Sequence, residues 1–103
     1  MDDPSTHAPD LLASRDTLDR LDRALLELIA QRRAVVEALF EVKLRQALPL
    51  LDPERESALL AQRRALAEAL GVPGDLAERL FRVILEGSHA QASACAMKPE
   101  RSE

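Results

Sequence analysis

The sequence predicts an all-α protein of three helices, and three observations carry that prediction. Leu and Ala dominate a chain of 103 residues that holds three glycines and only two aromatic residues, both Phe. Such side chains lose little freedom in a helix, whereas strand formers are sparse. From Leu11 to Gln46 no Pro or Gly interrupts an apolar pattern at helical spacing. Two later breaks carry both a stop signal and a start signal, so they divide the remainder into two shorter helices.

Each element has its own boundary chemistry. The first helix closes before Leu48-Pro49, because a residue preceding proline is biased away from the α region. Asp52-Pro53-Glu54 opens the second: the aspartate suits the N-cap, the proline suits the first helical position, and the acids near it favour the positive end of the dipole. Gly71 ends that helix as a residue just past the C-cap, and Val72-Pro73-Gly74-Asp75 turns the chain into the third. The third helix is expected to run to about Ala94. Residues 1–10 read as a flexible lead-in, 11–95 as one domain and 96–103 as a flexible tail.

Composition and charge narrow the function. A net charge of −4 offers no general attraction to nucleic-acid phosphates or anionic lipid. No apolar run approaches the roughly 20 residues that span a bilayer, and the acidic start MDDPSTHAPD lacks the basic and apolar regions of a secretory signal. One cysteine, Cys95, cannot form a bridge within the chain. A cytoplasmic protein without membrane or nucleic-acid partners is therefore expected. His7 and His89 stand far apart, and neither has metal-ligand spacing, so no metal is expected.

The first helix predicts a homodimer. Some 35 residues at about 1.5 Å each span about 50 Å, against a radius of gyration of about 13 Å for a compact domain of this size. A second copy would bury what two short helices cannot.

Charge inside the apolar stripe of that helix is its most informative feature. One row reads Arg15, Leu18, Asp22, Leu25, Ile29, Arg32, Val36, Leu39, Lys43, flanked by Leu21, Leu28, Val35 and Val42. Buried salt bridges or register-setting residues account for a single charge in such a seam. Three cations against one acid call for water, acids from elsewhere or an anionic ligand, since each unpaired buried charge costs several kcal/mol. The guanidinium fork suits carboxylates. Arg32 and Lys43, about 16 Å apart along the axis, can grip one small dianion. Arg15 lies about 25 Å from Arg32, so it would have to come from an antiparallel partner. Asp52, Arg55 and Glu56 can fold back after Lys43, although plain N-capping explains Asp52 equally well. In the third helix Ala77, Phe81, Ile84 and Ser88 share a face. Ser88 thus extends an inward row, toward either a ligand or the carbonyl one turn earlier.

These residues resemble the all-helical AroQ class of chorismate mutases. The resemblance covers about residues 11–91. It rests on the stretch from Arg15 to Leu26, on Arg32, on Glu41-Val42-Lys43, on Leu48 to Glu56, and on Gly71 to Leu76. The second and third helices are most similar to the mutase part of the bifunctional mutase–prephenate dehydrogenases. The resemblance implies an intertwined homodimer of three-helix chains. It also implies an isomerase of the shikimate pathway that rearranges chorismate to prephenate for aromatic amino-acid biosynthesis, with no cofactor. That intramolecular rearrangement requires no nucleophile, only a bent substrate and stabilised charge on its ether oxygen.

Residue by residue, the resemblance assigns Arg15 of the partner subunit and Arg32 to the two carboxylates. Lys43 is assigned to a carboxylate and the ether oxygen, Asp52 and Glu56 to orientation around the ring hydroxyl, and Ser88 to a carboxylate. The family's Gln or Glu four residues after that serine is Ala92 here, with Gln91 one position earlier. One helical step turns a side chain by about 100°, so Gln91 replaces it only through a local distortion. The departure leaves open an enzyme acting on aminodeoxychorismate or isochorismate; a non-catalytic helical dimer is a separate alternative.

Overall fold

The computed structural model describes residues 7–98, and side chains from Asp10 onward. Three helices account for most of them: α1 (His7–Arg45), α2 (Pro53–Ala69) and α3 (Gly74–Ala96), with no strand among the described residues. The expected fold class is borne out to that extent. Helix α1 begins one turn ahead of Leu11. Pro9 does not prevent this, because the first turn of a helix has no intrahelical partner for its N–H groups. Expectations for residues 1–6 and 99–103 lie outside the described residues.

By its internal contacts the chain divides into two units, residues 1–34 and 35–103. In the first, the described residues are helical and every side chain from Asp10 to Gln31 is exposed. Leu18, Leu21, Leu25 and Leu28 are each more than half exposed. None of the described residues of this unit covers its apolar stripe.

The second unit buries some of its apolar residues and leaves others, such as Leu66, Leu70 and Val83, exposed. Phe40, Ala92 and Cys95 form a cluster against which Val36, Leu44 and Leu50 pack. Leu59 and Ala67 of α2 and Ala77 and Leu85 of α3 are buried as well. Ion pairs join α2 to α3, where Arg64 reaches Asp75 at 2.7 Å and Glu78 at 3.0 Å; within α3, Arg82 reaches Glu78 at 2.7 Å. The hydrogen bond from Arg82, followed by that from Arg64, holds the Glu78 carboxyl below the usual carboxylate range. Lys98 closes the end of this unit on Glu37 at 3.2 Å.

Both helix stops use the same hydrogen-bond pattern with different residues. After α2, Gly71 takes the left-handed conformation (φ 83°), Val72 N donates to the Ala67 carbonyl and Gly71 N to that of Glu68. After α1, Leu48 N donates to the Lys43 carbonyl and Ala47 N to that of Leu44. Here the left-handed residue is Ala47 (φ 56°), where glycine is usual.

Candidate active site

The loop between α1 and α2 brings Lys43 and Asp52 together. Asp52 caps α2 as expected: its backbone is extended and its Oδ1 accepts from Arg55 N at 3.1 Å. Pro53 follows at the first helical position. That fixed turn carries Leu50, whose carbonyl accepts from Lys43 Nζ at 3.1 Å. Lys43, Leu48, Pro49, Leu51, Asp52 and Pro53 line an open cleft of about 330 Å³. An ammonium has three donors, so the bond to Leu50 aims the charge without exhausting it. The cleft therefore offers one positioned cation beside one carboxylate.

Glu56 does not line that cleft. Both of its carboxylate oxygens lie against His89 Nε2 of α3, at 2.8 and 3.0 Å. These two residues, with Leu60, Arg82, Leu85 and Glu86, border a smaller cavity of about 190 Å³. The expected company of Asp52 and Glu56 is thus divided between two concavities.

On α3 the inward row is real. Ala77 and Ser88 are buried, and Phe81 and Ile84 half-buried. Ser88 Oγ donates to the Ile84 carbonyl at 3.2 Å, the local back-bond that competed with a ligand role in the sequence. Gln91 and Ala92 are both buried, at 8% and 4% exposure. The step between them does not carry either to the surface, and Ala92 itself belongs to the cluster with Phe40 and Cys95.

In the first unit Arg15 is exposed and Arg32 half-buried. The His89 pairing was not expected from the sequence. His89 follows an inward serine by one step, which is the only local signal, and its partner lies 33 residues away.

Residues 14–92 match the sequence profile described as chorismate mutase type II. The chain belongs to that family. Among its relatives is the T-protein of Enterobacter agglomerans, 49% identical over 80 residues that make up 78% of this chain and 21% of that protein. The bifunctional chorismate mutase/prephenate dehydratase of the same organism is 37% identical over 78 residues, 76% of this chain and 20% of that one. The chorismate mutase of Methanocaldococcus jannaschii is 29% identical over 76 residues, covering 74% of this chain and 77% of that protein. This chain therefore spans about a fifth of the two bifunctional-sized relatives and most of the archaeal one. Its reading as a member of the chorismate mutase family is borne out. None of the helices among the described residues is long and apolar enough to cross a membrane.

Proposed function

We propose that this chain converts chorismate to prephenate as a homodimer, without a cofactor. The observation that carries the reading is Lys43. In a chain of the chorismate mutase type II family, its ammonium is aimed by the Leu50 carbonyl into a cleft shared with Asp52. A fixed cation is what an intramolecular rearrangement with charge developing on an ether oxygen requires, since the stabilising group need not reorganise during the reaction. Arg32 and Arg15 of the partner subunit are assigned to the two carboxylates, Asp52 and Glu56 to the ring hydroxyl, and Ser88 and Gln91 to the remaining polar contacts. The exposed leucines of the first unit support the second copy, because contiguous apolar surface of this kind marks an interface.

Ala92 supports a narrower alternative. A methyl group in the apolar cluster cannot donate a hydrogen bond to the substrate, so Lys43 would act there with less help, and a close analogue such as aminodeoxychorismate or isochorismate would suit the site. Assay of the purified chain on all three compounds decides between the readings. Chorismate is expected to turn over with no additive, and Arg32→Ala and Lys43→Ala are each expected to lower kcat/KM by about a hundredfold to a thousandfold. Full activity in both variants would overturn the site assignment. A preference for either analogue would replace the substrate.

A further inference from the structure

We propose that His89 is a positioning residue that holds the Glu56 carboxylate for the substrate's ring hydroxyl. The role rests on the chorismate mutase reading above. Nε2 stands almost equally far from the two carboxylate oxygens, at 2.8 and 3.0 Å. A carboxylate only accepts, so Nε2 supplies the hydrogen, and an N–H aimed between two oxygens fixes the plane of the group. Glu56 is otherwise a long, rotatable side chain in the first turn of α2. Left alone, it would lose its freedom at the moment of binding, and that ordering weakens affinity. Pinned by His89, it has already lost it.

The neighbours support this division of labour. Arg82, which also borders the cavity, is bound to Glu78 at 2.7 Å. Glu86, the other acid there, lies on α3 with His89. The histidine is not alone in linking α2 to α3, because Arg64 also ties α2 to Asp75 and Glu78. A carboxylate has about four lone-pair sites, so one shared N–H leaves acceptor capacity for a hydroxyl. His89 is also next in sequence to Ser88 and lies one turn from Ala92, so a shift of the imidazole would be felt along the inward face of α3.

The test compares His89→Leu and His89→Gln in the wild-type and Glu56→Gln backgrounds, with steady-state kinetics on chorismate and calorimetric binding of prephenate, which needs no turnover. His89→Leu is expected to raise KM and the prephenate Kd about tenfold, with kcat changed by less than about threefold, as for loss of one hydrogen bond to a charged group. His89→Gln keeps an N–H donor and should recover most of that loss. In the Glu56→Gln background, His89→Leu should add nothing further. The role is overturned by an unchanged KM and Kd, by equal losses in both backgrounds, by no rescue from glutamine, or by a lower Tm with normal binding. Absence of wild-type turnover would sink the activity and this role together, whereas wild-type turnover with an indifferent His89→Leu would sink this role alone.

Discussion

The two units draw on the same helix-forming composition, yet among the described residues only the second buries any of its leucines. From Asp10 to Gln31 every side chain is exposed, including Leu18, Leu21, Leu25 and Leu28. From Val35 onward Phe40, Leu59 and Leu85 fall to 8% exposure or less. A sequence pattern alone does not distinguish these outcomes, because an amphipathic stripe has the same period whether it faces its own chain or another. What separates them is the supply of partners. The second unit contains the two further helices, and the first contains none. An apolar stripe left exposed among the described residues states a demand, which the proposed second copy would meet.

That contrast can be attacked at its strongest point first. Leu25→Glu places a charge on the uncovered stripe. Burying a leucine contributes about 1.5–3 kcal/mol, and a symmetric dimer carries the change twice, so its dissociation constant should rise at least about a hundredfold. Sedimentation across a concentration series would read this, and an unaltered profile would remove the second copy from the account. The next test lies in the other unit. Leu59 is buried at 5% exposure within the chain, so Leu59→Ala should cost about 2–5 kcal/mol in urea unfolding through the cavity it leaves. If instead Leu59→Ala were neutral and Leu25→Ala costly to an isolated monomer, the contrast would be reversed.

The smallest effect sharpens what ties α2 to α3. Glu78 has its folded-state pKa lowered chiefly by Arg82 and then by Arg64. A depressed carboxylate contributes stability above its unfolded pKa and loses that contribution as pH falls through the folded value. Glu78→Gln should therefore lower Tm slightly at neutral pH, and the two proteins should converge on acidification to about pH 3 or below. A difference that stayed constant with pH would assign the loss to packing rather than charge.

Much of this architecture was legible because its boundaries are written in single residues. Asp52 caps, Pro53 starts, Gly71 stops, and each acts through backbone geometry within a few positions. The inward row Ala77, Phe81, Ile84, Ser88 was legible for the same reason, since one helix fixes it. The site was read less completely. Lys43 and Asp52 meet across a short loop, and the sequence brought them together. The Glu56–His89 contact depends on the register between two helices, which no local pattern encodes. Ser88 shows a different limit: its hydroxyl had two partners available in principle, and the structure records the carbonyl of Ile84. Helix α1 also ends with no signal except the coming Leu48-Pro49, because alanine is a poor herald of a left-handed turn.

That alanine has a consequence for Lys43. Ala47 holds a backbone conformation that disfavours a Cβ by about 1–2 kcal/mol, and the turn it makes returns the Leu48 N–H to the carbonyl of Lys43 itself. The main chain beneath the cleft's cation is therefore held by a joint under slight tension, followed by the loop that carries Pro49. Any change that let Ala47 relax into another turn of helix would carry Leu50 away from the ammonium. The aim of the charge is thus set by the chain's refusal to continue a spiral as much as by the side chain that bears it.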